Sequence, residues 1–170
     1  MARIPYADTS LPHLAPLVER ITKERGKVLN LYKMLLHSEP IASGWLTFMT
    51  QVRQKCSLSS VVREAVILRI AVMNKADYEF AQHVPFALQA GMTQAQITAI
   101  ENGATTIGDT KIDAALAYAS ESTGNVRVSD LCFEAIRSNF NATEIVELTT
   151  TIGSYNMVSR LLEALQVDHE

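Results

Sequence analysis

The sequence has few of the residues that stabilise small secreted proteins. Among 170 residues, cysteine occurs only at Cys56 and Cys132, which share no short motif. Secreted disulfide scaffolds are much richer in cysteine, so we expect both thiols to be reduced. The first eleven residues contain Arg3, Pro5 and Asp8 and no apolar core, so we expect no secretory signal peptide. A cytoplasmic location is the prediction.

Long apolar runs and clusters of like charge are also missing. The longest apolar stretch, residues 65–73, is interrupted by Arg69 and is much shorter than the roughly 20 residues of a membrane-spanning helix. The formal net charge is only −3, and the basic residues are scattered. Nucleic acids and anionic membranes are bound by clustered Lys and Arg. We therefore expect neither as a partner.

The chain contains many segments with apolar residues at helical spacing. Most of its few glycines and prolines lie outside these segments. Apolar residues make up 48% and charged residues 19%, which is typical of a folded globular protein. No segment alternates like a β-strand. We predict one all-α domain over residues 1–170. The predicted helices are 14–25, 27–37, 41–54, 61–73, 76–90, 93–101, 110–120, 129–138 and 141–165.

One predicted helix, 61–73, is apolar almost all the way round. Such a helix is typically buried in a core or between subunits. It nevertheless carries Glu64, whose neighbours are nearly all apolar. The next helix, 76–90, is predicted to end at Gly91, because glycine favours the position after a helix C-terminus.

Three side chains on these two helices have the chemistry for proton transfer. Glu79 and His83 are four residues apart and therefore share one helix face, with Phe86 on the same face. If the helices pack together, Glu64 approaches this pair. Burial and a second carboxylate raise a carboxyl pKa, and an imidazole with an ordinary pKa of about 6.5 exchanges protons near neutrality. The set therefore has the chemistry of an acid–base relay.

The same residues also allow structural interpretations. A Glu–His pair at this spacing is common by chance and usually stabilises a helix by only about 0.2–0.5 kcal/mol. Glu64 has Arg63, Arg69 or a second subunit as alternative ion-pair partners. A metal site made of two carboxylates and one imidazole is a third possibility, although no other histidine lies close in sequence.

Several segments resemble the carboxymuconolactone decarboxylase family. The most specific are residues 63–69 (Arg-Glu-Ala-Val-Ile-Leu-Arg), 77–83 (Asp-Tyr-Glu-Phe-Ala-Gln-His) and 90–93 (Ala-Gly-Met-Thr). Residues 35–40 and 155–162 also agree. The resemblance implies the alkyl hydroperoxidase D-like helical fold and a homo-oligomer.

The peroxide-reducing members of that family carry Glu, eleven residues, Cys-x-x-Cys, three residues, and His. Glu64 and His83 occupy the outer places here, but the two cysteine places fall on Ala76 and Glu79. A thiol–disulfide cycle needs an attacking and a resolving sulfur. We therefore reject the peroxidase branch for this chain.

The resemblance then implies a cofactor-independent lyase, such as a decarboxylase acting on a small carboxylated lactone or a related metabolite. In this hypothesis His83 carries the proton, Glu79 orients the imidazole and tunes its pKa, and Glu64 completes the relay. No metal or other cofactor is predicted. Tyr155, Phe86 and Arg160 are the candidate substrate-binding residues, although Arg160 also fits a structural ion pair. The main alternative is a non-enzymatic oligomeric protein that kept the fold and binds a small molecule.

Overall fold

The computed structural model describes residues 1–170 and contains helices without any β-strand, which confirms the all-α prediction. No helix combines the length and the apolar character needed to cross a lipid bilayer. A short 3₁₀ turn at Pro12–Leu14 precedes nine α-helices. They are α1 (Ala15–Arg25), α2 (Asn30–Leu35), α3 (Glu39–Gln54), α4 (Ser60–Asn74), α5 (Asp77–Gln89), α6 (Gln94–Glu101), α7 (Thr110–Asn125), α8 (Asp130–Asn139) and α9 (Ala142–Leu165).

Most helix ends lie within two residues of the predicted positions, with two exceptions. The predicted helix 27–37 is wrong in extent, because Leu29 is extended (ψ 158°) and α2 begins only after it. Helix α7 continues beyond the predicted end at Ser120 to Asn125. Its last turn is polar, and Thr123 there accepts a hydrogen bond from Asn156 of α9 at 2.9 Å. A contact distant in sequence therefore supports a turn that local propensity does not predict.

The sequence has the capping pattern at two helix starts, Thr93 with Gln96 and Asn141 with Glu144, and side chains cap both helices in the structure. The Thr93 hydroxyl accepts from the Gln96 backbone N–H, and the Gln96 side chain accepts from the Thr93 N–H, which is a complete capping box. Asn141 and Glu144 make the same reciprocal pair at the start of α9, at 2.9 and 3.0 Å. These local signals are confirmed because each depends only on residues three apart.

The chain forms two compact units, of which residues 57–161 form the larger. Within it, α4 packs against α5, α6 and α7, and α8 packs against α7. Eight of the fifteen residues of α4 are buried, in positions that cover all sides of the helix. The prediction of a buried helix is therefore confirmed. Helix α9 joins α7 through the hydrogen bond between Tyr118 and Thr149 at 2.9 Å.

The smaller unit comprises residues 1–56 and 162–170. Its helices α1 and α3 are joined through Glu24, which accepts hydrogen bonds from Arg20 at 3.0 Å and from the Thr50 hydroxyl at 2.5 Å. The Thr50 hydroxyl lowers the pKa of the Glu24 carboxyl and keeps it ionised. The single domain over residues 1–170 stays a prediction.

Replacing either of two glycines in the larger unit with alanine should change the free energy of unfolding, but in opposite directions. Gly91 has φ +105°, and the N–H groups of Gly91 and Met92 bond the carbonyls of Leu88 and Ala87, both at 3.0 Å. We expect Gly91→Ala to lower the free energy of unfolding by about 1–2 kcal/mol, because a Cβ disfavours positive φ. Gly153→Ala, inside α9 with no atom within 4 Å of the new Cβ, should raise it by about 0.5–1 kcal/mol. Urea unfolding of the two variants measures both changes in the free energy of unfolding. Changes of the same sign would contradict the different backbone conformations assigned to the two glycines.

Candidate active site

The centre of the candidate site is a hydrogen bond between Glu64 of α4 and His83 of α5. Glu64 Oε2 lies 2.7 Å from His83 Nδ1, and the two residues are only 3% and 6% exposed. An ionised carboxylate only accepts hydrogen bonds, so beside ionised Glu64 the Nδ1 atom carries the proton. In that tautomer Nε2 is the unprotonated ring nitrogen. The expected approach of Glu64 to His83 is observed.

The second oxygen of Glu64 is bound by its neighbour in sequence. Arg63 Nε donates to Glu64 Oε1 at 3.3 Å, so one carboxylate lies between a guanidinium and an imidazole. The other arginine that the sequence offered, Arg69, donates instead to the Ser120 hydroxyl at 2.9 Å and to the Gly103 carbonyl at 3.1 Å. Glu64 is therefore neither a bare buried charge nor the partner of Arg69.

The other carboxylate of the predicted set, Glu79, is also buried, at 2% exposed. The Ser159 hydroxyl of α9 lies 2.9 Å from its Oε2 and donates to it. Sequence reasoning did not select Ser159 as a site residue, although it belongs to the 155–162 segment that resembles the family. Its spacing of four from Tyr155 was the available signal, because those two positions share one face of α9.

Aromatic rings flank the imidazole. The ring of Tyr155, 1% exposed, meets His83 edge-on with centroids 5.0 Å apart. The Phe86 ring lies 5.7 Å from the imidazole, tilted by 51°, and Phe86 is 43% exposed. Both predicted substrate-binding aromatics therefore contact His83, one from the core and one from the surface side. Their role in binding a substrate stays a prediction.

Arg160, the third predicted substrate-binding residue, does not join this group. Its Nη1 donates to the backbone carbonyl and the side-chain oxygen of Asn156, at 2.9 and 3.0 Å, and its side chain is exposed. Those acceptors lie one turn back on the same helix, so the guanidinium follows α9 rather than turning toward His83. These contacts are hydrogen bonds within α9 and not the structural ion pair that the sequence also suggested.

Neither cysteine position of the peroxidase motif carries a sulfur, and the first is closed to solvent. Ala76 is fully buried, and Glu79 holds the second position. Cys132 lies in α8, and burial raises the pKa of its thiol, which makes it a weak nucleophile. No three His, Cys, Asp or Glu side chains are grouped closely enough to hold a metal ion.

A cavity of about 190 Å³ lies beside the C-terminal end of α4. It is lined by Ala71, Val72, Lys75, Asp77, Phe80 and Glu101. Because Glu64 lies on the fourth helix and His83 on the fifth, the sequence-based hypothesis implies a substrate pocket between these two helices, and this cavity touches both of them. It includes none of Glu64, Glu79 and His83, so a substrate pocket at the buried pair stays a prediction.

The fold and the site together define an all-α protein with a buried Glu–His pair and no thiol at either cysteine position of the motif. The carboxymuconolactone decarboxylase family model matches residues 39–121, which include Glu64, Glu79 and His83. Over these 83 of its 170 residues the chain is similar to the carboxymuconolactone decarboxylase family. No curated protein matches it in sequence.

Solved structures share the fold at low sequence identity. An uncharacterized peroxidase-related protein from Silicibacter sp. TM1040 has a TM-score of 0.84 at 19% identity, over 99% of this chain and 90% of that one. The alkylhydroperoxidase AhpD core protein from Ralstonia eutropha JMP134, also called peroxidase-related, has a TM-score of 0.85 at 14% identity, over 99% and 92%. A Cys-to-Ala variant of the debrominase Bmp8, in complex with 2,3,4-tribromopyrrole, has a TM-score of 0.82 at 14% identity, over 100% and 94%. At these identities the likeness establishes the fold alone.

Proposed function

We propose that this protein is a cofactor-independent lyase of the decarboxylase type, which transfers a proton to a small carboxylated lactone or a related metabolite. The observation that carries the proposal is the buried hydrogen bond of 2.7 Å between Glu64 and His83. The family's other chemistry needs sulfur at positions 76 and 79, and alanine and glutamate stand there. Proton transfer is the reaction that the remaining groups support best.

The chemistry of decarboxylation matches what His83 offers. When the C–CO₂ bond breaks, its electron pair stays on carbon and spreads into a neighbouring carbonyl as a dienolate. The carbon then takes a proton, which we assign to Nε2 of the imidazolium form of His83. Glu64 stabilises that imidazolium through Nδ1. Positioned general acids of this kind contribute about 10²- to 10⁴-fold to a rate.

The roles of the two carboxylates are reassigned in this proposal. The sequence-based hypothesis gave the orientation of the imidazole to Glu79, but the carboxylate that accepts the hydrogen bond from Nδ1 is that of Glu64. We therefore assign orientation to Glu64. Glu79, held by Ser159, becomes the second carboxylate of the relay.

A homo-oligomer is also part of the proposal. Family resemblance is its first support. A second is the exposed face of α9, where Val146 and Met157 are 65% and 40% exposed and Gly153 lies between them. Large exposed apolar side chains grouped on one face are typical of protein–protein contacts. A cytoplasmic location likewise stays a proposal.

The direct test is a panel of carboxylated lactones and unsaturated acids incubated with the protein in D₂O. We expect carbon dioxide release from one class of substrate, with one deuterium incorporated at the carbon that lost it. Binding that raises the melting temperature without turnover would instead favour the alternative, a small-molecule-binding protein. Dithiol-dependent reduction of peroxides would contradict the argument from the missing cysteines.

A further inference from the structure

The guanidinium of Arg63 lies beside the Glu64–His83 pair, and most of its hydrogen-bonding capacity is unused within the protein. Its side chain is only 15% exposed. Nε donates to Glu64, whereas Nη1 and Nη2 make no hydrogen bond within the chain. Four N–H donors on these two nitrogens therefore have no protein acceptor. Neither terminal nitrogen is a fully buried atom, so an anion from outside the protein can approach this partly exposed cation.

The other shielded arginines of the molecule differ in this respect. Arg25, 5% exposed, uses Nη1 on the Glu24 carbonyl and Nη2 on the Thr50 hydroxyl. Arg69 uses Nη1 on the Gly103 carbonyl. Arg25 therefore uses both terminal nitrogens within the protein and Arg69 uses one of them, whereas Arg63 uses neither. Only the Nε atom of Arg63 is bound by the protein. Both terminal nitrogens, which lie in one plane, are therefore available to an external acceptor.

We propose that Arg63 binds a carboxylate of the substrate, the role that the sequence assigned to Arg160. This inference rests on the proposed function, because it supplies the acid-binding group of the same site. The fork of Nη1 and Nη2 matches the two oxygens of a carboxylate. Arg63 and His83 bind the two oxygens of one carboxylate, that of Glu64, so the guanidinium and the imidazole are neighbours.

The chemistry further decides which carboxylate the fork holds. In decarboxylation the negative charge of the departing carboxylate moves onto carbon. A guanidinium bound to that group would stabilise the ground state more than the transition state and slow the reaction. Arg63 therefore binds a carboxylate that the product keeps. The substrate class is a small acid with a second carboxylate to lose, oriented with its reacting carbon toward His83.

The experiment uses benzoate as the probe and benzamide as its neutral match, both titrated at constant ionic strength. Binding is followed through the side-chain ¹⁵N signals of arginine and histidine. For the wild-type protein we expect a millimolar dissociation constant for benzoate and no saturable binding of benzamide. Arg63→Gln should weaken benzoate binding at least about tenfold, because the charge-assisted pair is lost. Arg160→Gln removes the same charge from an exposed site and should leave binding unchanged.

Two readouts separate this inference from its alternatives. The His83 signals of Arg63→Gln should keep the pattern of an Nδ1 hydrogen bond, whereas loss of that pattern would mean that Arg63 only positions Glu64. Unchanged benzoate affinity in Arg63→Gln, or no benzoate binding by the wild type, overturns the inference. If Arg63→Gln does not fold, Arg63→Lys keeps the charge without the fork and should weaken binding severalfold; full affinity there also overturns it. None of these results depends on turnover, which tests the proposed function separately.

Discussion

The His83→Gln variant should lower kcat/KM for the substrate found in the panel by about two to four orders of magnitude, with the fold intact. The glutamine amide keeps a polar N–H donor in the site, but it cannot gain and release a proton near neutrality. Because the lost interaction acts in the transition state, kcat should fall much more than KM rises. Steady-state rates of carbon dioxide release measure both.

His13 provides the matched control for this substitution. Its side chain is 61% exposed and lies 3.9 Å from Glu39. It is distant in sequence from the candidate site and makes no hydrogen bond to the residues of that site. His13→Gln should leave kcat/KM within about twofold of wild type, since surface substitutions rarely change a folded site. A folded His83→Gln variant with near wild-type turnover would remove His83 from the mechanism.

Replacing Glu64 with alanine should produce the largest loss of stability, about 3–5 kcal/mol. Both carboxylate oxygens are used, one by Arg63 and one by His83, and the residue is 3% exposed. Removing the carboxylate therefore leaves two donors and a guanidinium charge without their acceptor. For a chain of this size the melting temperature should fall by roughly 6 °C or more. Urea unfolding monitored by circular dichroism gives the free energy directly.

The conservative substitution separates charge from hydrogen bonding at the same position. Glu64→Gln keeps an oxygen that accepts from His83 Nδ1 and should cost only about 1–3 kcal/mol. An exposed ion pair on α8 supplies the control: Glu134 contacts Arg137 at 2.8 Å, and Glu134→Ala should change stability by no more than about 0.5 kcal/mol. If Glu64→Ala costs no more than Glu134→Ala, the buried pair does not stabilise the fold.

Helix positions were predictable because their signals are local. The capping boxes at Thr93 and Asn141 and the turn at Gly91 depend on residues within one helical turn. The apolar pattern of α4 likewise identified a buried helix. The errors lie where distant contacts decide, as at the end of α7, where Asn156 supports a polar last turn.

The residues of the candidate site could be predicted from the sequence, but the contacts between them could not. The four-residue spacing of Glu79 and His83 and the apolar surroundings of Glu64 were visible in the sequence, and the structure brings Glu64 to His83. Spacing alone did not show that Glu79 accepts from Ser159, eighty residues away in the chain. Nor did it show that Arg160 bonds within its own helix.

The sequence by itself determined the all-α class, the buried α4 helix and the absence of the motif cysteines, because periodicity, capping and residue identity need no knowledge of packing. Only the tertiary structure decided which donor meets which acceptor. It paired His83 with Glu64 and Glu79 with Ser159, and it left the terminal nitrogens of Arg63 without a protein acceptor. Hydrogen bonds require atoms within about 3 Å in a suitable direction, and helix packing sets those positions.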